Sequence, residues 1–134
     1  MADDERIRTV EGLYAAFARH DFPAILAALD ADVEWGEPDN PYNPGGGTRH
    51  GHEGFLEWVR IRRDAEDVLE VTLRRFLTDA EGVAVVGFTR CRAKNTGREY
   101  ATEFVHLIGF RGGKIVQFRE FFDTFVAAEA FRSR

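Results

Sequence analysis

Between Arg98 and Asp123 the chain reads REYATEFVHLIGFRGGKIVQFREFFD, two alternating runs joined by a pair of glycines. Paired glycines supply the positive φ angles of a tight hairpin, so Arg111-Gly112-Gly113-Lys114 reads as a turn between two strands. Side chains alternate along a strand with period two. Thr102, Phe104, His106 and Ile108 therefore share one face, and Val116, Phe118, Glu120 and Phe122 share one face of the partner. An imidazole and a carboxylate each stand in a row that is otherwise mostly apolar. If both rows face one interior, that interior is an apolar cavity with an acid–base pair in it. The turn sets the register, and a slip of one residue would turn both groups outward.

The 134 residues fit one domain, taken as 1–134, with enough chain to bury a core without disulfides. Twelve Phe against one Met and one Cys suit a dense core or an aromatic-lined pocket. A net charge of −5 argues against a broad nucleic-acid-binding face, which needs a basic patch. One cysteine excludes an internal disulfide and a multi-cysteine zinc site, and Cys91 reads as a small core residue. The charged N-terminus has no apolar signal core, and no stretch is long enough to cross a membrane. A cytoplasmic protein with no membrane partner is expected.

In chain order, Ile7, Val10, Leu13, Tyr14 and Phe17 recur at helical spacing behind Asp3 and Asp4. Arg19-His20-Asp21 ends that helix, and Asp21 with Pro23 opens a second whose buried face is Ile25, Leu26 and Leu29. A short strand is expected over 32–36. The Pro- and Gly-rich run 37–47 forbids helix and interior strand, and reads as a cavity wall or a plain surface loop. A third helix opens at Thr48 or Gly51 and runs over about 52–65. Its inner edge is Phe55, Leu56, Val59 and Arg62 or Arg63, and Trp58 is assigned to a partner or the cavity rim. Alternating runs at 68–77, 83–94 and 99–110 and a last strand at 115–122 form a meander, followed by a short helix over 124–131. Early helices and late antiparallel strands give an α+β fold, in which the curled sheet has helices on its concave side.

Three stretches, LYAAFARHDFPAILAALDADVEWGEP, GHEGFLEW and GGKIVQFREFFD, make the chain resemble the nuclear transport factor 2-like superfamily, in its SnoaL-like and ketosteroid-isomerase-like branches. The resemblance covers nearly the whole chain. It implies a curved mixed or antiparallel sheet wrapped around the N-terminal helices to form a conical cavity, a cystatin-like α+β barrel. Tyr14 falls where the steroid isomerases carry an oxyanion-hole tyrosine, and Glu37, before Pro38, is the nearest counterpart of their base. At Val105 and His106 the chain departs from those isomerases, which place an acid there. The SnoaL-like cyclases pair a histidine on one strand with an acid on the last, and His106 with Glu120 resembles that pair.

The expected chemistry is cofactor-independent acid–base catalysis, as an isomerase, cyclase or lyase acting on a hydrophobic carbonyl compound. The candidate catalytic residues are Glu120, His106 and Tyr14. Candidate ligand contacts are Trp35, Glu37, Phe55, Val59, Phe104, Phe118 and Phe122. Each catalytic candidate has a plainer reading too: Glu120 tied to a core arginine, His106 bonding a backbone group, Tyr14 packing in the core. A non-catalytic ligand-binding or interaction domain using the same cavity is the alternative. Arg90 and Arg92 read as outer-face residues bridging to Glu99 and Glu103, and Arg60, Arg62 and Arg63 as a solvated helix face with Asp64 and Glu66. No metal is expected at His50-Gly51-His52-Glu53, where spacing implies no third ligand. Apolar Val105, Leu107, Ile115 and Phe121 on the outer sheet face lead to the expectation of a homodimer.

Overall fold

The computed structural model describes residues 2–133. Helix α1 (Asp3–Ala18) begins with Asp3, Asp4 and Glu5 in its first turn, where negative charge complements the helix dipole. It ends at Ala18, and His20, with a φ of 57°, turns the chain just beyond it. The Asp21 side chain then accepts from the Ala24 amide at 3.2 Å and caps α2 (Phe22–Ala28), with Pro23 in the first turn. Strand β1 (Leu29–Glu37) follows without a break and is longer than the 32–36 expected. Residues 38–46 form the Pro/Gly loop. Strand β2 (Gly47–His50) lies where the sequence suggested a helix opening, and α3 is Gly51–Ala65. The meander comprises β3 (Glu66–Thr78), β4 (Gly82–Ala93), β5 (Glu99–Arg111) and β6 (Lys114–Phe122), and α4 (Thr124–Phe131) closes the chain.

The six strands form one sheet in the order β2-β1-β6-β5-β4-β3. Strand β1 runs parallel to β6 and antiparallel to β2, so the sheet is mixed. The fold is α+β, with N-terminal helices and a curved sheet that stays open, since β2 and β3 are its two edges. It is therefore not a closed barrel. Helix α1 reaches β3 and β4, and α3 packs on β1. Among the described residues no helix is long and apolar enough to cross a membrane.

The hairpin has the expected turn. Gly112 and Gly113 have φ of 57° and 81°, the left-handed values of a two-residue hairpin loop. Its register places His106 directly opposite Glu120, and Phe104 opposite Phe122. One part of the expected pattern is corrected. A bulge shifts the register between Gly109 and Phe110, so Ile115 turns into the core, fully buried, while Val116 is half-buried. Ile115 thus leaves the outer apolar face, which keeps Val105, Leu107 and Phe121.

Helix α3 corrects three further positions. Phe55, Trp58, Val59 and Arg62 follow helical spacing on its inner side, and Leu56, about 100° away around the helix, is exposed. Trp58 is buried in the core rather than on a rim. Arg62 points inward to the buried Glu66, leaving Arg60 and Arg63 on the solvated face. On the outer sheet face Arg90 and Arg92 both bond Glu99, at 2.8 and 3.3 Å, while Glu103 pairs with Arg74 at 3.5 Å.

The core centres on Trp35. Its indole stacks on Phe118 with ring centroids 3.9 Å apart and planes 5° apart, and Phe55 and Trp58 lie at 4.6 and 5.2 Å. Strand pairing explains the stack, because Trp35 is the parallel neighbour of Phe118.

Candidate acid–base site

Strand alternation continues from the aromatic core into a polar end of the interior. From Trp35 one period carries β1 to Glu37, and from Phe118 one period carries β6 to Glu120. From Ile108 two periods carry β5 back through His106 to Phe104, and Thr102 and Tyr100 follow. The result is a row of hydrogen bonds. The Tyr14 hydroxyl lies 2.5 Å from His106 Nδ1, and His106 Nε2 lies 2.5 Å from Glu120 Oε2. The imidazole is held between rings, stacked on Phe104 at 4.2 Å and on Tyr14 at 5.7 Å, with Phe118 at 4.7 Å. A further hydrogen bond links Glu120 to Glu37.

Beyond Glu120 is a second set of groups. Arg62 reaches Glu66 Oε2 from Nε at 3.3 Å and from Nη2 at 2.9 Å. The Tyr100 hydroxyl donates to the other Glu66 oxygen at 2.8 Å. The Arg62 guanidinium also sits over the Trp58 indole, 5.1 Å from its centroid.

A cavity of about 10 Å3, the room of one water, lies among Glu37, Asn43, Arg62, Glu66, Thr89, Tyr100, Thr102, Glu120 and Phe122. All of its lining residues but Phe122 carry a polar group, unlike the greasy interior expected. Of the expected site residues, Glu37, Glu120 and Phe122 stand on this wall. Tyr14 and His106 stand behind Glu120. Trp35, Phe55, Val59 and Phe118 pack in or against the aromatic core, Phe104 is buried beside His106, and none of them lines the cavity. Arg62, Glu66, Tyr100 and Asn43 are wall residues that the sequence reading did not place in the site. The 38–46 loop covers one side. It approaches so closely at Gly45 that a β-carbon there would stand 2.6 Å from Glu37 Oε1.

The two carboxyls are driven apart. Burial, with Glu120 and Glu66 nearby, pushes Glu37 up to about 8 against the pull of Arg62. Burial would raise Glu120 too. The adjoining His106, Arg62 and the Glu37 hydrogen bond outweigh it and hold Glu120 at about 2. At neutral pH Glu37 thus keeps its proton and donates it to an ionised Glu120. Burial and the Glu120 charge push Tyr14 above the usual tyrosine range, so its hydroxyl stays protonated. The ionised Glu120 accepts from His106 Nε2, and at Nδ1 a neutral imidazole accepts the Tyr14 hydroxyl whereas an imidazolium donates to the Tyr14 oxygen. A proton gained on the other Glu120 oxygen leaves the Nε2–Oε2 hydrogen bond in place, because Oε2 of a neutral carboxyl still accepts.

Stability should follow from this split. Glu37 is raised, so its contribution is full below about 4.5 and is lost as pH rises to about 8. Glu120 is depressed, so its contribution is full above about 4.5 and is lost as pH falls to about 2. Unfolding free energy should therefore peak near pH 4.5 to 5 and fall by roughly 3–5 kcal/mol toward pH 8. Glu37→Gln should flatten the alkaline side. Urea midpoints at several pH values check this, and a wild-type midpoint unchanged from pH 5 to 8 contradicts it.

Elsewhere, His52 Nε2 lies 3.0 Å from the Leu29 carbonyl, and no group of three or more His, Cys, Asp or Glu among the described residues is arranged to hold a metal. Cys91 is fully buried, and burial pushes its thiol up to about 11.

Comparison with known proteins places this architecture. An uncharacterized protein of Mycobacterium tuberculosis is 28% identical over 132 residues, covering 98% of each chain. The crystal structure of an NTF2-like (nuclear transport factor 2-like) protein from Burkholderia xenovorans LB400 superposes with a TM-score of 0.89 at 30% identity, over 98% of this chain and 99% of that one. The structure of TerC co-crystallised with polyporic acid superposes with a TM-score of 0.78 at 27% identity, over 96% of this chain and 99% of that one. The model of the SnoaL-like domain matches residues 10–118, and the chain belongs to that family.

Proposed function

We propose that this protein binds a small carbonyl compound and moves a proton on it without a cofactor, as an isomerase, cyclase or lyase. The observation that carries this is the Glu37–Glu120 pair. Two carboxyls share one small cavity, one held protonated and the other ionised. Opposite protonation of neighbouring groups assigns an acid and a base. Glu120 is the base, and takes a proton next to the carbonyl. His106 and Tyr14 stand behind it and hold its Oε2 in place while its other oxygen takes the proton. Glu37 is the acid, and gives a proton or a hydrogen bond to the product side. The co-crystallisation of TerC with polyporic acid supports a small organic ligand for a relative of this fold.

The cavity as it stands has room for one water, so a substrate enters only when the 38–46 loop draws Asn43 out of its wall and Gly45 away from Glu37. That tightness favours a second reading, a non-catalytic binding or interaction domain. One experiment separates the two. A panel of ketones and aldehydes is incubated with the protein in D2O and followed by NMR. Exchange of the proton next to the carbonyl by the wild type, lost in both Glu120→Gln and His106→Ala with the circular dichroism unchanged, supports the enzyme. Exchange that survives both substitutions overturns it, and no exchange with any compound supports the binding domain.

We also propose a homodimer through the outer sheet face, where Val105, Leu107 and Phe121 of β5 and β6 are 36%, 43% and 40% exposed. Light scattering at micromolar concentration should give twice the chain mass, and Leu107→Glu should return it to the monomer. A wild-type monomer contradicts this.

A further inference from the structure

Arg62 is the only cation among the residues that line the cavity. Two of its three nitrogens are spent on one oxygen of Glu66. One face of the guanidinium is spent on Trp58. Nη1 makes no hydrogen bond among the described residues, and the side chain keeps 25% of its surface accessible. Glu66 is itself fixed by the Tyr100 hydroxyl, so the guanidinium is locked on one edge and free on another. A planar donor group held this way is suited to an oxygen that becomes negative during reaction.

Charge counting narrows the ligand. With Glu37 protonated, the wall carries Arg62 against Glu66 and Glu120, a net charge of −1. A substrate that arrives as an anion adds a second uncompensated charge. A neutral carbonyl adds none. When Glu120 removes a proton next to that carbonyl, the C–H bond breaks and its electron pair forms the C=C bond. The carbonyl π pair moves onto oxygen. Glu120 becomes neutral as the oxygen becomes negative, so the total charge stays the same and only its place changes.

Resting on the acid–base reading above, we infer that Arg62 Nη1 holds the substrate oxygen and stabilises the negative charge it gains, and that the substrate is an electrically neutral, enolisable carbonyl compound rather than a carboxylate. The proton returns from Glu120 to another carbon in an isomerisation, which balances the step. The interaction strengthens only as the charge develops, which is the condition for it to raise the rate rather than ground-state binding.

The test uses 4-nitrophenolate, an oxyanion whose absorbance reports binding. Glu120→Gln reproduces the neutral Glu120 that exists after proton transfer. It should bind the phenolate about tenfold or more tighter than the wild type, the size of one charged hydrogen bond. Because Arg62→Met alone leaves Glu66 buried without its partner, the comparison is made between Glu120→Gln/Glu66→Gln and the triple variant that adds Arg62→Met. The gain should persist in the first and disappear in the second. A gain that persists without Arg62 overturns the inference and leaves Glu120 as base. Absence of any gain in Glu120→Gln, or of binding to every variant, overturns it as well. Deuterium exchange into 2-tetralone, wild type against Glu120→Gln, tests the base separately: exchange that survives the substitution removes the acid–base reading whatever the phenolate does.

Discussion

Glu120→Gln is expected to lower turnover by about 10²–10⁴-fold while leaving the fold intact. The amide keeps the shape of the carboxyl but cannot take a proton. It also keeps a polar partner for His106 Nε2, 2.5 Å away, so the row back to Tyr14 is not cut. Removing a charge from this position does not expose the interior to a new unpaired group, because Glu37 already holds its own proton beside it. The loss should therefore fall on kcat, and the thermal midpoint at neutral pH should drop without loss of the fold, because the stability that ionised Glu120 contributes goes with its charge. His106→Ala should also abolish turnover, since it removes the group that holds Glu120 in position. Tyr14→Phe should cost less, because Tyr14 meets the site only through His106. Glu120 and Glu66 also raise Glu37, so Glu37 should titrate lower in Glu120→Gln than in the wild type. A variant that turns over at the wild-type rate contradicts the assignment of Glu120.

Arg62→Met should cost about 3–5 kcal/mol of stability. The methionine replaces the buried stem of the arginine, so little packing is lost. What is lost is the cation that faces Glu66, Glu120 and Glu37 together. The Glu66 side chain is 3% exposed, and without Arg62 its charge is left with two neutral partners, the Tyr100 hydroxyl and the Cys91 thiol. Adding Glu66→Gln should recover most of the loss, because the unpaired charge rather than the missing ion pair is what destabilises. Urea midpoints of the single and double variants at pH 7 measure this. A cost below about 1 kcal/mol for Arg62→Met, or no recovery in the double variant, contradicts it.

The hairpin was legible because two independent signals agree on it. Period-two alternation gives the faces, and Gly112-Gly113 gives the turn that sets the register. Ile115 departs from plain alternation because of the bulge between Gly109 and Phe110, whose one mark in the sequence is the glycine inside the strand. Strand β2 was missed for a different reason. Gly47-Thr48-Arg49-His50 has no apolar alternation, and it pairs only because β1 offers an edge. The acid–base pair was visible as polar residues in apolar rows, and Glu37 continues the alternation of Trp35. Arg62 and Glu66 also carried a signal, four residues apart at a helix end. The surrounding run RIRRDAED looks like a solvated face, and only the packing of Trp58 turns Arg62 inward. Tyr100 extends the row Thr102, Phe104, His106 and was legible by the same period.

The split between Glu37 and Glu120 is the centre of this account. Carboxyl-carbon NMR of the full chain, titrated from pH 2 to 9 with Glu37→Gln and Glu120→Gln for assignment, measures it directly. The account predicts Glu37 near 8 and Glu120 near 2. Both carboxyls titrating together near 4.5 would contradict it.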